Sequence, residues 1–228
     1  MGLAHAQAPV ISPHSEASRV ARRSARGFTL IELVAVVLII AIVAALAMPS
    51  IASRMRDRRT RQAAQTIANL YSQARMRAMG RGAAVMVRYN GGTGTFQMLE
   101  GIVGTARDAD PNCAPIPVSN CTGNQQWNTG ADADNREVAL FAPRDRGEYS
   151  EVRIAFEQAG SGSAATSMDV CFTPMGSAFV AYDGGVLNRL SGIPIARVWR
   201  VDSANNAVGL RRSVLILPNG NAYLGTAQ

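Results

Sequence analysis

The sequence predicts an α+β fold, one long N-terminal helix laid against antiparallel β-sheet, and three observations carry that prediction. An almost unbroken apolar run spans residues 28–48. Apolar and small residues then recur at helical spacing as far as two glycines, Gly80 and Gly82. Beyond them the pattern changes to short strands separated by turn signals, and the helical period does not return.

Phe28 to Met48 reads FTLIELVAVVLIIAIVAALAM, 21 residues in which only Thr29 and Glu32 are polar. At about 1.5 Å of rise per residue the run reaches roughly 30 Å, the thickness of a bilayer's hydrocarbon core. Arg19, Arg22, Arg23 and Arg26 precede it, which favours keeping the N-terminus in the cytoplasm and sending the rest outward. Arg54, Arg56, Arg58, Arg59 and Arg61 follow it and weigh the other way. Ala45, Ala47 and Pro49 imitate a signal-peptidase site, yet the run exceeds the roughly 7–15 apolar residues of a secretory signal. It also holds a carboxylate, which costs a few kcal/mol in hydrocarbon, so Glu32 requires a functional partner.

Past Pro49, residues Ala63, Ala64, Ile67, Leu70, Tyr71, Ala74 and Ala78 form one stripe, while Arg54, Arg58, Arg61, Gln65, Asn69 and Ser72 fall on another face. The helix therefore reads from about Phe28 to Met79, with residues 28–49 as its transmembrane half and 50–82 as its amphipathic half. Residues 83–228 read as a β-rich domain. Ala84 to Tyr89 and Thr95 to Leu99 flank a hairpin signal at Asn90-Gly91-Gly92-Thr93-Gly94. Further strands are expected at 137–141, 151–157, 167–173, 177–182, 195–201, 213–217 and 222–224. Turn signals at Pro174-Met175-Gly176, Asp183-Gly184-Gly185 and Pro218-Asn219-Gly220 separate several of them.

Residues 101–136 read as a long loop rich in Asp, Asn, Pro, Gly and Thr. A disulfide between Cys113 and Cys121 would staple it, the oxidising periplasm permitting, with Cys171 as a buried apolar-like residue; pairing with Cys171 is left open, since spacing does not fix connectivity. Asp108, Asp110, Asp132 and Asp134 lack the Gly and closing Glu of a calcium loop and read as solvated carboxylates. No metal site and no cofactor site is expected.

Charge and composition narrow the function. The chain has 228 residues and a formal charge of +7, but residues 54–88 carry +8 and residues 89–228 carry −3, so the bulk of the domain is mildly acidic. Every one of the 23 basic residues is Arg. Without Lys there is no phosphate-loop lysine, Schiff base or Ser-Lys dyad. The two histidines, His5 and His14, lie ahead of the apolar run, so a chain trimmed there has no His-dependent catalysis either. A non-enzymatic role is the expectation. The arginines of 54–88 are placed to meet anionic headgroups or acidic faces of neighbouring subunits.

Arg26-Gly27-Phe28-Thr29-Leu30-Ile31-Glu32-Leu33 resembles the processing motif of type IV prepilins and type II secretion pseudopilins. The resemblance implies a pilin-like fold. It implies that residues 1–27 are a leader, that prepilin peptidase cuts between Gly27 and Phe28, and that Phe28 is N-methylated. Glu32 would be the assembly carboxylate, neutralising the new amine of a neighbouring subunit, and Pro49 would kink the helix. The segments 170–177 and 214–221, with the Ala-Arg-rich helix end at 73–82, look like the GspH/FimT branch of minor pilins and pseudopilins. Such subunits help initiate or cap a type IV pilus or a type II secretion pseudopilus. Their implied partners are other major and minor pilins, the peptidase, the inner-membrane assembly platform and the membrane. The alternative is a DNA-binding minor pilin for DNA uptake. Members of that kind use a Gly-Arg-x-Arg turn; here the turn reads Gly220-Asn221-Ala222-Tyr223, leaving Arg197, Arg200, Arg211 and Arg212 as the candidate DNA contacts. Arg197 and Arg200 are expected to point one way from their strand.

Overall fold

The computed structural model describes residues 27–103, 116–122, 126–128, 134–145, 147–158 and 160–225, with backbone only at 49–53 and 148. The chain divides into two compact units between Ala47 and Met48.

Helix α1 spans Leu30–Arg81, starting and ending two residues beyond the positions expected from sequence. Thr29 sets the start. Its hydroxyl accepts from the Glu32 amide at 3.3 Å and its carbonyl accepts from the amides of Glu32 and Leu33, so Thr29 and Glu32 occupy the two positions of a capping box. At the other end Gly82 takes φ +67°, and its amide donates to the Ala78 carbonyl at 3.1 Å. The helix runs unbroken through Pro49, which lies just past the border between the units.

In the first unit and the residue after it, Leu30–Met48 is long and apolar enough to cross a membrane, and none of it is buried among the described residues. Leu30 and Ile31 are 83% and 77% exposed, an apolar surface that calls for lipid or other helices around it.

The second unit is α+β as expected. One sheet holds β1 (Val85–Asn90), β2 (Thr95–Val103), β3 (Ile116–Pro117), β4 (Asn135–Phe141), β7 (Ser167–Phe172), β8 (Ala178–Tyr182) and β9 (Asn188–Arg189), in the order β3-β2-β1-β7-β8-β9 with β4 also on β2. The other holds β5 (Val152–Glu157), β6 (Ala164–Ala165), β10 (Ile195–Val201), β11 (Ala207–Ile216) and β12 (Ala222–Gly225), in the order β12-β11-β10-β5-β6. Every pairing among the described residues is antiparallel.

One core joins the two sheets and the helix stripe. Ala63, Ala64, Ile67, Tyr71, Ala74 and Ala78 meet Val85, Val87, Tyr89, Phe96, Val170 and Phe172 of the first sheet and Val152, Phe156, Ala196, Val198, Val214 and Ile216 of the second. Alanines on the helix let it approach closely, Ile67 and Tyr71 are its large fully buried contributions, and most other large side chains come from the strands. The Tyr89 hydroxyl donates to the Ile154 carbonyl at 2.8 Å, and the Tyr89 ring lies 4.7 Å from Phe96 and 4.8 Å from Phe156. Gly220, at φ +80°, brings the β11–β12 turn so near that a Cβ there would stand 3.0 Å from both the Arg75 Cδ and the Phe172 ring. Arg75 reaches the same turn, donating to Asn221 Oδ1 at 3.0 Å.

The stretch 101–136 is not wholly loop: β2 runs on to Val103, β3 pairs with its end, and β4 begins at Asn135. The expected cysteine pairing needs correcting too. Cys121 is bonded to Cys171, 50 residues away, and not to Cys113, which lies outside the described residues. Strand parity explains it. Met168, Val170 and Phe172 of β7 enter the main core, so Cys171 turns to the opposite face of the sheet. There Val118 donates its amide to the Gly101 carbonyl and accepts from the Ala84 amide, which carries Cys121 over Cys171 with the Cα atoms 6.0 Å apart. Ala84, Met86 and Leu99 complete this second cluster, with Trp127 packed on it and bonded to the Cys121 carbonyl at 2.8 Å.

Candidate functional site

The sequence places its processing and assembly residues at the start of α1, and the structure leaves that place open. Gly27 has nothing near the position a Cβ would occupy, and Phe28 is 81% exposed. Glu32 sits in the first helical turn, where the helix dipole favours a negative charge, and no ion pair engages it among the described residues. Backbone access at Gly27, an apolar residue next to it and an unpaired carboxylate five residues on thus lie at one end of an uncovered apolar helix.

The four candidate DNA-contact arginines do not form one surface. Arg197 pairs across the sheet with Ala155 and lies on the outer face beside Glu157, which it grips through both carboxylate oxygens. That hydrogen bond, with the charge behind it, raises the Arg197 pKa further. Arg200 pairs with buried Val152 and lies on the inner face, where its side chain is only 12% exposed and stands 3.7 Å from Glu151. The expectation that they point one way is wrong for a plain reason: residues three apart on a strand differ in parity. The neighbours Arg211 and Arg212 likewise divide, Arg211 exposed and Arg212 opposite buried Val198. Arg212 nevertheless joins Arg197 and Arg211 in bordering a shallow cleft of about 250 Å³, with Ile195, Ser213 and Gly225.

A site the sequence reading missed lies where the helix ends. Glu100 is 1% exposed and holds Arg77, Arg81 and Arg136 at 2.6, 2.8 and 3.2 Å. Burial opposes its ionisation, but hydrogen bonds from Arg77, Arg81 and Arg136 outweigh burial and hold its pKa below the ordinary glutamate value. The clamp ties α1 to β2 and β4. A signal for it exists: 96, 98, 100 and 102 share one strand face, so Glu100 interrupts an apolar face, and Arg77 and Arg81 are one helical turn apart. A second cross-strand pair, Arg88 with Asp169 at 3.0 Å, stands on the opposite face of the first sheet. Among the described residues no cluster of three or more His, Cys, Asp or Glu could hold a metal.

Comparison with known families finds the prokaryotic N-terminal methylation motif at residues 22–48. It covers the basic flank, the Gly27-Phe28 junction, Glu32 and the apolar run, and makes the N-terminus type IV prepilin-like. No curated protein and no solved structure matches the chain.

Proposed function

We propose that the chain is a minor pilin or pseudopilin of the GspH/FimT type, a non-enzymatic subunit that helps initiate or cap a type IV pilus or a type II secretion pseudopilus. The observation that carries this reading is the methylation motif standing on a helix whose apolar surface is left exposed by the described residues. Prepilin peptidase removes residues 1–27, Phe28 is methylated, and the helix anchors the subunit in the inner membrane with its domain in the periplasm. On assembly, Glu32 of one subunit neutralises the Phe28 amine of a neighbour inside a low-dielectric helical bundle, so each buried charge offsets the other. Pro49 bends the helix where it leaves the membrane. The partners are other pilins or pseudopilins and the assembly platform. DNA uptake has less support, because Arg197 and Arg200 stand on opposite faces with carboxylates beside them.

Mass spectrometry of the native N-terminus tests the reading: the expected mature chain starts at methylated Phe28, and a start at Met1 or after Ala47 would remove it. Glu32→Ala should insert into the membrane normally and enter fibres poorly.

A further inference from the structure

Five arginines fall within residues 54–61, and all five are exposed. None of them makes an ion pair among the described residues, in contrast to Arg77, Arg81, Arg88, Arg136, Arg197 and Arg200. The one acid in the window, Asp57, is only half-buried but turned toward the domain, where a Cβ on Gly209 of β11 would stand 2.6 Å from its Oδ1. It leaves the arginines uncompensated. At about 3.6 residues per turn, Arg54, Arg58 and Arg61 lie opposite the buried stripe while Arg56 and Arg59 lie on other sides, so the charge surrounds the helix and does not mark one face.

Arg54 follows Met48, the end of the apolar span, by six residues, about 9 Å of helix. A headgroup layer adds roughly 5–8 Å to each side of the hydrocarbon core, and arginine turns its charge back along a flexible stem. Arg54, Arg56 and Arg58 are therefore within reach of lipid phosphates, with Arg59 and Arg61 behind them. We propose that residues 54–61 form a cationic collar that binds anionic phospholipid headgroups of the outer leaflet of the membrane holding the span. The occupant is a lipid surface because the collar is continuous with the span and encircles the axis; an acidic protein face would need the charge on one side. Removal of residues 1–27 takes Arg19, Arg22, Arg23 and Arg26 with it, after which the collar is the arginine cluster nearest the span.

The inference rests on the membrane placement proposed above but not on fibre assembly. The test uses the purified mature chain in mixed phosphatidylglycerol and phosphatidylethanolamine nanodiscs. Retained lipid is counted by native mass spectrometry after detergent release. The chain should retain phosphatidylglycerol preferentially. Each of Arg54→Gln, Arg56→Gln and Arg58→Gln should lower that preference about fivefold, and added salt should weaken it. Arg189→Gln, an exposed arginine of β9, should change nothing. Matched thermal unfolding confirms that the variants fold. Equal retention of the two lipids, or preference unchanged in the triple variant, overturns the proposal. So does a triple variant with normal lipid retention that no longer captures partner subunits, since the collar then serves an acidic protein face. A chain starting at Met1 would sink the pilin reading and leave this result standing, whereas a start after Ala47 would remove the span and overturn both.

Discussion

Replacing Glu100 by Gln leaves the guanidinium groups of Arg77, Arg81 and Arg136 around a neutral amide that accepts fewer and weaker hydrogen bonds. Loss of one partner from a fully buried ion pair costs about 3–5 kcal/mol. Here the three arginines are 32%, 51% and 38% exposed and rehydrate in part, which brings the expected loss to about 2 kcal/mol. For a domain of this size that is a fall of roughly 4–8 °C in Tm. The assay is urea unfolding of the detergent-solubilised mature chain, followed by Trp127 and Trp199 fluorescence. The pH dependence supplies the decisive control. The folded-state pKa of Glu100 is depressed, so its contribution is complete above the ordinary value near 4.5 and is lost as pH falls through the lower folded value. The deficit of Glu100→Gln should thus be full at neutral pH and shrink in acid. A loss below about 0.5 kcal/mol, or a deficit independent of pH, would refute the clamp.

Three further outcomes are expected. Cys171→Ser should cost up to about 4 kcal/mol by the chain-entropy estimate for a loop of this length, whereas Cys113→Ser should leave the disulfide intact and remove the remaining thiol, as thiol labelling under denaturing conditions would show. Gly220→Ala should lower stability by about 2 kcal/mol, from a positive φ and a Cβ pressed on Arg75 and Phe172; an unchanged thermal midpoint would contradict the close approach. Tyr71→Phe should stabilise the domain by roughly 1 kcal/mol, because the Tyr71 hydroxyl is buried without a hydrogen-bond partner among the described residues, and a clear loss of stability would mean that it is satisfied after all.

What could be seen in the sequence depended on whether a periodic signal existed. The helix was legible to within two residues at each end, since the apolar run and a stripe repeating over fifteen residues both survive in linear order. The longer strands were legible for the same reason, although β11 begins at Ala207 and not near Ser213. Its first half contains Gly209 at φ +77° and lies opposite an irregularity in register between Val198 and Arg200, which erases the alternation. The two-residue strands β3, β6 and β9 left no trace, because a pair of residues has no period. The candidate site divides in the same way. Gly27, Phe28 and Glu32 lie within six residues and could be read as one motif, while the Glu100 clamp joins residues 19 to 36 positions away and the disulfide joins residues 50 apart.

The arginines connect these levels. Because the chain has no Lys, one side chain must serve as structural clamp and as surface cation, and the structure separates the roles by position. In the domain, six arginines stand against four carboxylates, Arg77, Arg81 and Arg88 from the basic segment 54–88 and Arg136, Arg197 and Arg200 from the region of charge −3. In residues 54–61 the arginines have no such partner among the described residues, and there the net charge is free to act outside the chain. A basic pI therefore says little about the domain. The same charge total would describe a nucleic-acid-binding surface if the free arginines lay on the sheets; lying next to the span, they favour the membrane and account for a basic protein whose domain is acidic.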